Sequence, residues 1–163
     1  MPSLPVADTS VLQYLHHLGL IDLLPQLFGG VVVPAAVADE LAVGRRQGCL
    51  VPDVSTLAWV EVVPNIAEAE AVSAARHHRG ERQVIAVACE RGAQTLLDDR
   101  PARRTANQMA VSGTVGILAA AKQLGILRML RPELDRLAGL GFRLDQGFRR
   151  HVLAQVGEED DDA

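Results

Sequence analysis

The sequence predicts an α/β protein with a largely parallel sheet and helices on both of its faces. Three observations carry this. Short β-branched runs alternate with helix-period segments from one end of the chain to the other, the signature of strands joined by helical crossovers. The strand-like runs are short and apolar, as in Val31-Val32-Val33, which suits strands covered on both faces. Of the 163 residues 48% are hydrophobic, enough to build one core of ordinary domain size.

The elements follow in order. Val6 to Asp8 reads as the end of a short buried strand, which starts at or after Pro5 because proline avoids central strands. Thr9 or Ser10 can cap the next helix, where Val11, Leu12, Leu15 and Leu18 recur at helical spacing. Gly19 breaks it, and residues 20–28 form a second apolar helix-like segment. Gly29-Gly30 is a turn into the strand Val31-Val32-Val33, which Pro34 stops, proline suiting the first turn of a helix. That helix spans residues 35–43, and residues 44–56 read as a loop. Residues 59–63 alternate as a strand ending at Pro64. Residues 67–78 are helical, Gly80 interrupts them, and residues 81–91 make a new helix ending at Gly92. Residues 93–97 are the next strand, running into Asp98-Asp99. Residues 100–109 are helical, 111–114 a short strand and turn, and 115–124 a strongly apolar helix stopped by Gly125. Helices over 132–140 and 145–156 complete one domain, residues 1–156. Residues 157–163 are an acidic tail expected to be disordered.

Composition narrows the function. The formal net charge is −4, yet Glu158 to Asp162 are five consecutive acids, so the remainder is close to neutral and its surface mildly basic. Lys122 is the only lysine, and the other basic residues are arginines, which suit bidentate phosphate contact; a GC-rich coding bias accounts for most of that excess. No apolar run is long enough to span a bilayer. The opening Met-Pro-Ser-Leu-Pro lacks the basic start and cleavage pattern of a signal peptide. Cys49 and Cys89 have no metal-ligand spacing and are too few for a disulfide framework. A reduced, cytoplasmic setting is the expectation.

Four acids stand out by context. Asp8 ends a strand, Glu40 interrupts an apolar helical segment, Glu81 follows Gly80 at a helix start, and Asp98 follows Thr95-Leu96-Leu97. Ligands of parallel sheets gather beyond the carboxyl ends of strands, which is where Asp8 and Asp98-Asp99 should project. Each acid singly has an ordinary explanation: a cap, a charge at a helix N-terminus, an exposed face or a turn. Gathered together they would repel one another and lose hydration, and a hard divalent cation with oxygen ligands removes that cost.

In their order these residues resemble a known family. Asp8-Thr9-Ser10, Val33-Pro34 through Asp39-Glu40-Leu41, Gly80-Glu81, Leu96-Leu97-Asp98-Asp99 with Ala102-Arg103-Arg104, and Gly113-Thr114-Val115-Gly116 with Ala121-Lys122 look like the signature of a PIN-domain branch. That branch is related to VapC-like toxins and is catalogued as a domain of unknown function. The resemblance runs from about Val6 to about Val156. It implies a three-layer α/β/α sandwich and a Mg²⁺- or Mn²⁺-dependent ribonuclease. Asp8, Glu40, Glu81 and Asp98 would take the family's catalytic and metal-binding positions, with Asp99 competing with Asp98 for the fourth. Many PIN proteins carry aspartate at the third position, where this chain has Glu81. The resemblance also implies an RNA substrate, an antitoxin protein as partner and a homodimer, to which the apolar stretches 12–24 and 115–124 would contribute.

Supporting residues surround these acids. Thr9 and Ser10 can orient a carboxylate or metal-bound water, or simply cap the helix. Arg100, Arg103 and Arg104 share a helix face and can hold a phosphate backbone or form salt bridges with the acids. Lys122 could meet an acidic pocket or lie on the surface; an acid pocket with Thr114 and Lys122 would resemble a phospho-acceptor receiver fold. A receiver is disfavoured because no early Asp-Asp pair precedes a central phospho-acceptor aspartate. Dinucleotide binding is disfavoured because no Gly-x-Gly-x-x-Gly follows the first strand. The remaining competitor is a catalytically weak PIN-like module acting through protein contacts.

Overall fold

The computed structural model describes residues 3–67, 79–98 and 111–160. The described strands are β1 (Val6–Ala7), β2 (Val31–Pro34), β3 (Val60–Val63), β4 (Thr95–Leu96) and β5 (Val111–Ser112). They form one sheet in the order β3-β2-β1-β4-β5, and every neighbouring pair is parallel. The α/β class and the parallel sheet expected from the sequence are therefore what the structure has. From β1 the chain steps outward through β2 to β3, then returns to lay β4 and β5 on the other side. The direction of winding reverses between β1 and β4, and such a switch point opens a crevice beyond the carboxyl ends of those two strands.

The described helices are α1 (Thr9–His17), α2 (Leu23–Phe28), α3 (Ala35–Arg46), α4 (Arg79–Arg91), α5 (Thr114–Gln123), α6 (Arg131–Gly139) and α7 (Gln146–Gln155), with a 3-10 turn at Val54–Thr56. None is long and apolar enough to cross a membrane. The chain divides into two compact units, Met1–Thr114 and Val115–Ala163.

In the first unit, β1, β2 and β4 are buried along their whole length, as expected of central parallel strands. Edge strand β3 instead exposes Glu61 and Val62. Helices α3 and α4 pack on each other, and α4 packs on β1 and β2. Gln83, 1% exposed, clasps the chain between β3 and α4 through both backbone groups of Ile66, at 2.7 and 3.0 Å. Gly30 is required where the chain enters β2: a Cβ there would lie 2.5 Å from the Trp59 carbonyl oxygen, which accepts the Val31 N–H.

Several boundaries differ from the sequence expectation. Pro34, expected just past the strand, is the last residue of β2, in register with Val63; it then serves as the N-cap of α3 with extended backbone. Having no capping side chain, it leaves the Ala36 N–H to Asn65 Oδ1, 2.9 Å away. Helix α3 continues through Gly44 to Arg46. Gly80, expected to interrupt the chain before the next helix, is itself helical, the second residue of α4. The helix expected over 67–78 and the one expected over 100–109 fall almost wholly outside the described residues.

In the second unit, Ile117, Leu118, Leu130, Leu134, Leu137 and Leu153 are buried. The acidic run read from the sequence as a disordered tail is tied down as far as Asp160. Glu158 accepts the Leu130 and Arg131 N–H groups at 2.6 and 3.1 Å, supplying the cap that Leu130 cannot give to α6. Arg149, 5% exposed, pairs with Asp135 at 2.8 Å and Asp160 at 3.0 Å. Lys122 donates to the Arg128 carbonyl at 2.7 Å and lies 3.8 Å from Glu158, so its role in this unit is local. Much of the apolar surplus expected to drive self-association (Leu12, Leu15, Leu24, Ile117, Leu118) is buried within the chain.

Candidate active site

The crevice at the switch point is where the acids meet. Asp8 is the first residue past β1, and its N–H still bonds the Leu96 carbonyl of β4 at 3.1 Å. The backbone there is extended, and Asp8 is the N-cap of α1 without a side-chain cap bond. Its carboxyl is therefore turned to other use. It lines a pocket of about 420 Å³ together with Thr9, Ser10, Gln13, Glu40 and Glu81. Asp98, two residues past β4, stands beside this group: Ser10 Oγ donates to Asp98 Oδ2 at 3.2 Å.

Each hydroxyl after Asp8 has taken a carboxylate. The Thr9 hydroxyl donates to Glu40 Oε2 at 2.5 Å, and Ser10 reaches Asp98. Orientation of acids, one of the two roles open to Thr9 and Ser10 in the sequence, is the one the structure displays. Glu40 projects from α3 and accepts the Gly80 N–H on Oε1 at 3.0 Å. Asp98 is gripped from β5's end: Oδ1 accepts the Thr114 N–H and Oδ2 the Thr114 hydroxyl, both at 2.7 Å. Glu81, 9% exposed, comes from the first turn of α4.

Electrostatics single out Asp8. It is 4% exposed, and burial pushes its carboxyl up from 3.8 to about 8. That value already includes the Thr9 backbone N–H, which works against burial, and the negative charges of Glu81, Glu40 and Asp98, which add to it. No lysine or arginine is among the described residues lining the pocket. Metal-free, Asp8 is thus mostly protonated at neutral pH.

The residues fit a hard divalent cation in their chemistry, since oxygen is the donor they offer. The buried, disfavoured charge of Asp8 is what such an ion would relieve. Among the described residues no three acid, histidine or cysteine side chains converge closely enough to hold an ion by themselves. Mg²⁺ does not need that many, because it usually keeps several waters and takes one or two carboxylates.

All four acids singled out in the sequence are thus neighbours: Asp8, Glu40 and Glu81 in one pocket and Asp98 at its side. Asp99, Arg100, Arg103 and Arg104 lie outside the described residues. Sequence reasoning passed over Gln13, although its spacing of four from Thr9 places both on one face of α1. It placed Thr114 in the family motif and, with Lys122, beside an acid pocket in the disfavoured receiver reading, but did not foresee that Thr114 holds Asp98.

No curated protein matches the sequence. A family profile described as a PIN domain matches residues 4–158, nearly the whole chain. Its members are generally nucleases that use divalent metals, on a three-layer α/β/α sandwich with a parallel sheet. The wholly parallel sheet, the acids beyond β1 and β4 and this end-to-end match agree: the chain belongs to the PIN-domain family.

Proposed function

We propose that the chain is a Mg²⁺- or Mn²⁺-dependent ribonuclease that hydrolyses RNA phosphodiester bonds at the Asp8–Glu40–Glu81–Asp98 site. The observation that carries the reading is Asp8, a nearly inaccessible carboxyl set among three other acids and pushed up to about 8. Burial and the neighbouring acids keep this carboxyl from ionising, and a cation held beside it would restore its charge.

The chain's own residues divide the work. Asp8, which lines the pocket, would hold the cation as a carboxylate and would release its proton on doing so. Asp98, fixed by Thr114 and Ser10, and Glu40, fixed by Thr9 and Gly80, hold anionic oxygens in place with little motion left to lose. Glu81 reaches the pocket from α4, and Gln13 offers an amide to a bound nucleotide. A divalent ion held here supplies charge neutralisation at the phosphate and activation of water. Arg100, Arg103 and Arg104 follow directly on the acids in sequence and would meet the flanking phosphates.

In this proposal the protein acts in the cytoplasm as the toxin of a toxin–antitoxin pair, restrained by an antitoxin protein, and works as a homodimer. A second reading, a catalytically weak PIN module acting through protein contacts, draws on one observation: among the described residues, no three acid, histidine or cysteine side chains are close enough to hold one ion. One experiment separates the two. Purified protein is incubated with a pool of RNAs and with DNA, with Mg²⁺, Mn²⁺ or a chelator, beside Asp8→Asn. Metal-dependent RNA cleavage lost in Asp8→Asn supports the nuclease. RNA left intact with both metals supports the binding module.

A further inference from the structure

Both oxygens of Glu40 are held, and from two different elements. The Thr9 hydroxyl of α1 donates to Oε2 at 2.5 Å, and the Gly80 N–H of α4 donates to Oε1 at 3.0 Å. The second contact exists because residue 80 has no side chain. A Cβ at Gly80 would lie 2.6 Å from Oε1, 2.9 Å from Oε2 and 3.0 Å from Cδ of Glu40. Carbon and oxygen atoms that are not bonded do not approach so closely, so any side chain would drive the carboxylate away. Gly80 is buried in the first turn of α4, where alanine would stabilise the helix better than glycine does. The sequence thus accepts a weaker helix at a place where the backbone must touch the carboxylate.

The direction of that carboxylate matters. Glu40 borders two hollows: the acid pocket with Asp8 and Glu81, and a second one with Asp39, Val43, Gly44, Gln47 and Arg79. From the position of Glu40 on α3, its carboxylate can serve either. We infer that Gly80 is a positioning residue: with Thr9 it clamps Glu40 so that its carboxylate serves the acid pocket. The inference rests on the nuclease reading above for its consequence in catalysis, but the clamp itself can be tested without it.

The test is Gly80→Ala, measured for melting temperature without metal, for Mn²⁺ affinity by calorimetry and for RNA cleavage. The expected variant folds and melts close to the wild-type temperature, because alanine's helix preference offsets the lost Glu40 contacts. It binds Mn²⁺ about tenfold more weakly and turns over about 100-fold more slowly, the usual cost of displacing a reacting group by about an ångström. Adding Glu40→Asp, one methylene shorter, makes room for the new Cβ, and the double variant should be more active than Gly80→Ala alone. Wild-type turnover and wild-type Mn²⁺ affinity in Gly80→Ala would overturn the inference. Should Gly80→Ala fail to fold, the Gly80 amide resonance decides it: in Glu40→Gln the amide proton should move upfield as its charged acceptor disappears, and an unmoved resonance overturns the clamp. Absence of both cleavage and Mn²⁺ binding in the wild type would sink the nuclease reading, and the amide resonance would still decide the clamp.

Discussion

Removing the charge of Asp8 should stabilise the metal-free protein while destroying its function. The folded carboxyl titrates near 8 and the unfolded one near 3.8, so the folded state holds this proton more tightly. The contribution of Asp8 to stability is therefore fully present below about pH 4 and is lost as pH rises from there to about 8. At pH 7 the loss spans about three units at 1.36 kcal/mol each, or about 4 kcal/mol at most. Asp8→Asn removes the titration but still buries an amide, which costs about 1–3 kcal/mol without full hydrogen bonding. A net gain of about 1–3 kcal/mol at pH 7 remains, equivalent to a melting temperature higher by roughly 3–9 °C for a chain of this size. The assay is thermal denaturation after exhaustive chelation, at intervals from pH 5 to 9, for both proteins. The wild type should lose stability steadily up to about pH 8 and Asp8→Asn should do so less, with the two curves approaching each other toward pH 5. Added Mn²⁺ should raise the wild-type curve and leave the variant where it was. Parallel curves for the two proteins, or a variant less stable than the wild type at pH 8, would refute the argument.

Other perturbations probe the surrounding structure. Thr114→Val keeps the N–H to Asp98 but removes the hydroxyl, and should cost about 1–2 kcal/mol in denaturant unfolding together with a roughly tenfold loss of cleavage. Glu158→Ala uncaps α6 and should cost about 0.5–2 kcal/mol, whereas the neighbouring exposed Glu159→Ala should leave the unfolding midpoint unchanged. Gly30→Ala forces a Cβ against the Trp59 carbonyl oxygen and should destabilise by about 1–3 kcal/mol without altering Mn²⁺ affinity in the folded fraction.

Much of this site was legible because parallel-sheet physics puts it in a fixed place. Asp8 and Asp98 each follow a short apolar run, and residues just past such strands face the crevice at a switch point. Glu40 stood out as an acid within an apolar helical segment. The partners of these acids were less visible, since they depend on tertiary approach. Thr114 is 16 residues from Asp98, and nothing in its local sequence tells a helix-opening threonine from one that grips a carboxylate. Gly80 read as a helix break because glycine has poor helix propensity; the structure uses its missing side chain instead. Glu158 read as solvated tail because a run of like charges usually is, yet two backbone N–H groups at the start of α6 needed an acceptor. Pro34 read as the stop between a strand and a helix, and the structure makes it the last strand residue and the N-cap of α3, because its fixed φ suits the extended backbone that precedes a helix.

The central claim is that the buried carboxyl of Asp8 is kept for a cation. Calorimetric titration of the chelated protein with Mn²⁺ at pH 7, in two buffers of different ionisation enthalpy, counts the protons released on binding. A carboxyl that titrates near 8 is about nine-tenths protonated at that pH, so the account predicts release of close to one proton per bound ion, and loss of both binding and release in Asp8→Asn. Binding that releases no proton, or that survives unchanged in Asp8→Asn, would contradict it.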